Sequence, residues 1–169
     1  PEGGRRISSS RSAICAGGRS RQDSVRKGLQ QVQGCQWVLV HDGARPFLTD
    51  KLINDGIEAV KQTGAAVAAV PLKDTVKEVD GDGLVTRTPE RGLLRAVQTP
   101  QVFRADILKA AYRALDGEFT DDAAVVERAG YKVKLYPGDD SNIKITTPQD
   151  LLLAEMMAGK ARLLANVIE

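Results

Sequence analysis

Apolar positions follow two rhythms along this chain. Trp37 to Val40 and Ala65 to Leu72 are unbroken apolar runs of strand length, as expected of strands buried on both faces. Between them, Leu52, Ile53, Ile57 and Val60 recur at helical spacing, with Thr49 as the expected N-cap and Gly64 as the stop. Upstream, Ser24 through Val32 offers a helical face of Val25, Leu29 and Val32, which Gly28 weakens. This strand–helix–strand order predicts an α/β fold with a mostly parallel sheet. Downstream, a helix is expected from Ala105 to Leu115, with Ile107, Leu108, Ala111 and Leu115 on one face. A further helix should open at Thr120, where Asp121 and Asp122 complement the helix dipole, and stop at Gly130. Strands are predicted at Tyr131–Tyr136 and Asn142–Ile145. The last helix should open near Pro148, with Asp150 in its first turn, and run to about Ala158. Residues 159–169 read as a helical extension or a tail.

One segment breaks the alternation. Thr75–Val79 and Leu84–Thr88 alternate at period two around Asp80-Gly81-Asp82-Gly83, the pattern of a β-hairpin with one apolar face. A hairpin protruding from a parallel-sheet domain needs its edges covered, so a homodimer through this arm is expected. An exposed hairpin lying on its own domain is the alternative. Thr99-Pro100-Gln101 reads as a turn-like element. Residues 1–18, rich in Gly, Ser and Arg, read as a loop or arm. No internal repeat is visible.

Composition narrows the class more than the function. A length of 169 residues suggests one domain spanning 1–169, and 42% hydrophobic with 27% charged residues fits a globular protein. A net charge of +2 implies neither a nucleic-acid nor a membrane partner. The basic residues Arg5, Arg6, Arg11, Arg19, Arg21, Arg26 and Lys27 face only Glu2 and Asp23 in the first 27 positions. That cluster fits a flexible arm, a phosphate-facing edge or a solvated face. It lacks interleaved aromatics, which argues against nucleic-acid binding. Cys15 and Cys35 give no metal spacing and no disulfide framework, and burial as small hydrophobes is expected for both. No apolar run is long enough to span a bilayer, and no signal-peptide core follows the N-terminal arginines. A reducing cytoplasm, or a plastid stroma for a plant source, is the expected location.

The candidate chemistry sits where strands end. Trp37–Val40 stops abruptly in His41, Asp42, Gly43, Ala44, Arg45 and Pro46. Ligands of open α/β sheets bind outside the carboxyl ends of strands. There Asp42 suits a cation or a hydroxyl, and Arg45 suits a phosphate or carboxylate. A strand-end turn with a surface ion pair is an equal reading of those residues alone. Gly17 and Gly18 precede a helix start and let backbone amides approach a phosphate or base, with Ser24 as a further donor. Lys144, between Ile143 and Ile145, should point away from both, toward water or toward a phosphate. Arg91 follows the hairpin and alone is an ordinary surface arginine.

In combination the motifs say more. GGRSRQDSVRKGL (17–29), HDGARPF (41–47), PLKDTVK (71–77), RGLLRAVQTPQVF (91–103), TDDAAVVERAG (120–130) and NIKITTPQDL (142–151) occur in this order. Together, over about residues 15–158, they resemble the 2-C-methyl-D-erythritol 4-phosphate cytidylyltransferase family of the non-mevalonate isoprenoid pathway. The resemblance implies a Rossmann-like nucleotidyltransferase whose β-arm, here residues 73–92, forms a homodimer. It implies transfer of CMP from CTP to methylerythritol phosphate, with release of pyrophosphate and with Mg²⁺ on the triphosphate. By motif, Gly17, Gly18 and Ser24 would hold the cytidine. Asp42 and Gly43 would lie by the nucleotide, Asp42 nearest the metal, and Arg45 by the sugar phosphate. Thr75 and Arg91 would reach the partner's site, with Thr99 and Thr146 near substrate. Lys144 would stabilise the transferring phosphate. His41 is read as a packing or hydrogen-bonding residue. The family's N-terminal Gly-rich segment, with its own cations, is not in this sequence, so an N-terminally incomplete domain is expected. The alternatives are a ribitol-5-phosphate cytidylyltransferase, which shares several of these motifs, and a non-catalytic dimerising fragment.

Overall fold

A computed structural model describes residues 14–114 and 117–168, with side chains to Gly159. It divides into two compact units, up to Cys35 and from Gln36 onward. The first holds α1 (Arg21–Gln31). This helix starts three residues before Ser24, because Ser20 caps it: the Ser20 hydroxyl accepts the Asp23 N–H at 3.0 Å. The entering loop folds back over the helix start, where Gly18 N–H donates to Ser24 Oγ at 2.9 Å. A Cβ on Gly18 would fall 2.1 Å from Asp23 Cβ, so only glycine fits. Arg5, Arg6, Arg11, Leu115 and Glu2 lie outside the described residues.

The second unit runs β1 (Trp37–Val40), α2 (Asp50–Thr63), β2 (Ala65–Pro71), β3 (Glu78–Val79), β4 (Val85–Arg87), a 3₁₀ turn (Arg91–Leu93), β5 (Arg95–Arg104), α3 (Ala105–Ala114), α4 (Asp122–Arg128), β6 (Lys134–Pro137) and α5 (Pro148–Ile168). Four strands form a mixed sheet in the order β1-β5-β2-β6, and β3-β4 form a separate hairpin. The expected mostly parallel sheet is therefore corrected. β5 lies antiparallel to both β1 and β2, and only β2 and β6 pair in parallel. The reason is connectivity. After β2 the chain enters the hairpin instead of a crossover helix, and returns beside β2 in the opposite direction.

The Thr99-Pro100-Gln101 segment is not a turn. It is the middle of the ten-residue β5, with a cis Thr99–Pro100 bond. Proline is tolerated there because β1 pairs no further than Val40 with Gln101, and because β2 is irregular between Val67 and Ala69, opposite this stretch. β1 is an edge strand among the described residues, half-buried with Leu39 36% exposed, rather than buried on both faces. Cys15 and Cys35 are both exposed, against the expected burial. Cys35 sits in the loop before β1, outside the sheet. Asn142–Ile145 is not a strand either. It meets the turn after β1 through Ile145 N–H to Ala44 O at 2.8 Å instead of joining a ladder, because the Asp139–Asn142 turn commits the preceding backbone.

Several helix ends behave as their residues require. Thr49 caps α2, and Gly64, at φ 82°, ends it with its N–H on Val60 O. α4 is capped by Asp121 rather than Thr120, because Asp121 Oδ1 accepts the Ala124 N–H while its other oxygen accepts from Gln101 Nε2. Thr147 and Asp150 form a reciprocal capping box at α5, which extends through the expected end at Ala158 to Ile168. The hairpin turn is held by Asp80 Oδ1, which accepts from Asp82 N–H and Leu84 N–H. The core lies where α2 packs one sheet face through Leu52, Ala59, Val60, Ala66, Ala68, Val102 and Tyr136. α3 and α4 cover the other face with Leu108, Ala111, Val125 and Val126. No helix among the described residues is long and apolar enough to cross a membrane.

Gly56 is where α2 meets the sheet most closely: an added Cβ would lie 2.8 Å from both Tyr136 Oη and Val102 Cγ2. Overpacking of this kind costs about 1–3 kcal/mol and exceeds the roughly 1 kcal/mol that alanine gains in a helix. Gly56→Ala should lower the denaturant midpoint, whereas Gly28→Ala, with no atom within 4 Å, should not destabilise its helix.

Candidate functional site

Three segments converge at the end of β1. The turn after the strand is closed by Arg45 N–H on Asp42 O at 3.0 Å. The middle of β5 contributes Thr99, whose hydroxyl accepts the Asp42 N–H at 3.0 Å. The segment after β6 contributes Asn142 and Lys144. Arg45 donates Nη1 to Asn142 O at 2.7 Å, and Lys144 Nζ lies 3.1 Å from Asp42 Oδ2. Asp42, Arg45, Thr99 and Lys144, singled out in sequence, are thus brought together.

The electrostatics explain what the group is suited to. Asp42 Oδ2 faces two cations, Lys144 at 3.1 Å and Arg45 Nε at 3.9 Å. Burial pulls the Arg45 guanidinium below its ordinary pKa, an effect that the Asp42 carboxylate partly offsets. It stays charged all the same. Arg45 Nε is buried with no hydrogen-bond partner, and the Asp42 carboxylate 3.9 Å away is an anionic neighbour to it. Asp42 therefore holds two cations together at the end of β1. Gly43 is exposed at the tip of the turn.

As for metal, no cluster of three or more His, Cys, Asp or Glu side chains that could hold an ion exists among the described residues. One carboxylate flanked by two cations does not make a resident metal centre. It fits a cation that arrives on phosphate oxygens, since Mg²⁺ commonly takes one or two carboxylates plus phosphates.

The supporting shell was largely missed in sequence. Asn142 is fully buried and donates Nδ2 to Thr99 O at 2.7 Å. Gln98 is buried, donates Nε2 to Asp139 O and accepts from Asp139 N–H. Gln101 accepts the Ala123 N–H at the start of α4. Buried Asp122 accepts from the Tyr112 hydroxyl. The available signal was the apolar flank on each side, Ala96-Val97 and Val102-Phe103, which makes the segment one strand. His41 hydrogen-bonds as expected, through Nδ1 to Thr99 Oγ1 at 3.0 Å and Nε2 to Arg45 O at 2.9 Å.

Other candidates sit elsewhere. Thr75 is exposed ahead of β3, and Arg91, also exposed, donates Nη1 to Lys73 O. Thr146 donates both its N–H and its hydroxyl to Asp150. Gly17, Gly18 and Ser24 cluster within the first unit, where Lys27 Nζ also binds Gly17 O at 2.8 Å.

A family model for 2-C-methyl-D-erythritol 4-phosphate cytidylyltransferase matches residues 2–160. The chain belongs to that family. A 2-C-methyl-D-erythritol 4-phosphate cytidylyltransferase of Dehalococcoides mccartyi strain 195 is 57% identical over 150 residues, covering 89% of this chain and 66% of the relative. The crystal structure of the Thermus thermophilus cytidylyltransferase superposes with a TM-score of 0.79 at 38% identity, covering 94% of this chain and 78% of that one. A 4-diphosphocytidyl-2C-methyl-D-erythritol synthase from Anaerococcus prevotii gives the same TM-score at 36% identity, over 85% and 68%. The chain thus spans just under two thirds of the length of the curated cytidylyltransferase it matches at 57% identity.

Asp150 offers a pH test of the segment carrying Lys144. Hydrogen bonds from Thr146 and Thr147 lower its pKa to about 2. A depressed carboxylate stabilises the fold above its unfolded value of about 3.9, and that contribution is lost as pH falls toward 2. Acid titration of stability should be flatter between these values in Asp150→Asn than in the parent chain.

Proposed function

We propose that this chain carries the sugar-phosphate side of a cytidylyltransferase, which transfers CMP from CTP to 2-C-methyl-D-erythritol 4-phosphate. The observation that carries the reading is the Asp42–Lys144–Arg45 arrangement, in a chain whose family is the one named for that reaction. A phosphate oxygen of the sugar attacks the α-phosphorus of CTP in line and pyrophosphate departs, so no protein nucleophile is required. Lys144, held in advance by Asp42, meets the charge that develops on the transferring phosphorus. Arg45 adds the charge of its guanidinium on the sugar-phosphate side. Asp42 is the carboxylate that would hold a Mg²⁺ arriving with the triphosphate, which would supply charge neutralisation there. Thr99 acts from beneath, because its hydroxyl is already bonded to Asp42 and His41. Thr146 and Gly43 lie on the segments that carry Lys144 and Asp42. Gly17, Gly18 and Ser24 take the nucleotide-holding role of their motif.

The arm completes the proposal. Val79, Leu84 and Val85 are 56%, 67% and 58% exposed on the hairpin, and an isolated two-stranded hairpin is marginal by itself. Pairing with a second copy would cover them and would carry Thr75 and Arg91 to the partner's sugar phosphate.

Turnover of CTP should be measured with methylerythritol phosphate and with ribitol 5-phosphate. Activity with the former supports the reading, and activity with ribitol phosphate alone overturns it. Lys144→Ala should lower kcat by about 10²–10³-fold, the usual effect of losing one transition-state charge contact. Arg91→Ala should chiefly raise KM for the sugar phosphate.

A further inference from the structure

We infer that His41, which no step of the proposed transfer uses, is the positioning residue of the Asp42–Arg45 turn, donating Nε2–H to the Arg45 carbonyl and meeting the Thr99 hydroxyl at Nδ1. The kinetic consequence rests on the transfer reading, whereas the proton assignment does not. Four bonds fix the assignment. Asp42 N–H donates to Thr99 Oγ1 at 3.0 Å, so the threonine oxygen uses one lone pair there. Its proton remains available to His41 Nδ1, at 3.0 Å. Nε2 lies 2.9 Å from the Arg45 carbonyl, an obligate acceptor, so Nε2 carries a proton, and in a ring with one proton Nδ1 then accepts from the threonine. Arg45 N–H closes the turn on Asp42 O. Every donor in the circuit meets an acceptor.

The circuit spans both ends of the turn. Thr99 pins it at Asp42 and His41 pins it at Arg45, with the imidazole as the rigid strut between the β5 hydroxyl and the turn carbonyl. The carboxylate and the guanidinium of the site are side chains of those two pinned residues. Losing the strut loosens both reacting contacts without removing either, and misplacement on the ångström scale is enough to slow a reaction about 10²-fold.

His41 is the sole histidine of the sequence, so its ring nitrogens are resolved without ambiguity in a ¹⁵N spectrum. With the ring neutral, Nε2 should appear protonated and Nδ1 unprotonated, and Thr99→Val, which removes the donor, should shift Nδ1 while Thr99→Ser restores it. A proton on Nδ1, or a Nδ1 signal indifferent to Thr99→Val, would overturn the assignment. For positioning, His41→Phe keeps the shape and loses both bonds, whereas His41→Gln keeps a donor near the Nε2 place. Exchange of the Arg45 amide should quicken in His41→Phe and recover in His41→Gln, with kcat falling roughly ten- to hundredfold and recovering in parallel. Equal losses in both variants, tracking only their thermal midpoints, would reduce His41 to a packing residue. Should the parent chain turn over neither sugar phosphate, the transfer reading fails, while the ring spectrum and the Arg45 amide still decide the positioning.

Discussion

The rest of the site depends on one reversed strand carrying polar side chains through the core. β5 enters between β1 and β2, where the sheet is irregular, and there presents Gln98, Thr99 and Gln101 as buried groups. A buried amide or hydroxyl without partners costs about 1–3 kcal/mol, so each must be matched. Each is matched by a different segment: Gln98 by the turn at Asp139, Thr99 by Asp42, Gln101 by the start of α4. Three connecting segments are thereby tied by side chains to the middle of the sheet.

That anchoring gives the charged group its form. Asp42 and Lys144 come from segments far apart in sequence, and Arg45 is partly desolvated between them. Left alone, a lysine on an irregular segment would be a mobile surface charge of little energetic consequence. Asn142, two residues earlier and fully buried, bonds Thr99 O through its side chain and receives Arg45 at its carbonyl. The cations are thus held in place by the fold itself, the condition that charge stabilisation without reorganisation requires.

What was legible in the sequence follows the same division. Periodicity located α2, α3, α4 and the hairpin, because those elements are governed by local caps and one apolar face. The motifs singled out Asp42, Arg45 and Lys144, whose side chains the structure brings together. The antiparallel placement of β5 was not legible, since Thr-Pro between two glutamines carries the local signal of a turn. Only the sheet irregularity and the short reach of β1, both tertiary features, let that sequence be a strand. For the same reason the buried amides went unnoticed: polar residues read as exposed until the segment is known to be central. Asn142–Ile145 failed in the other direction, as alternation predicted a strand where the Asp139 turn prevents one.

Native-state hydrogen exchange at three amides tests this account most directly: Asp42, Asp139 and Ala123, each bound to a β5 side chain. All three lie outside the strands, and Asp42 and Asp139 outside helices too. Protection comparable to that of the β2–β5 ladder amides is the predicted result. Exchange at the rate of the exposed Gly43 amide would show that β5 does not hold these segments, and the central claim would fall.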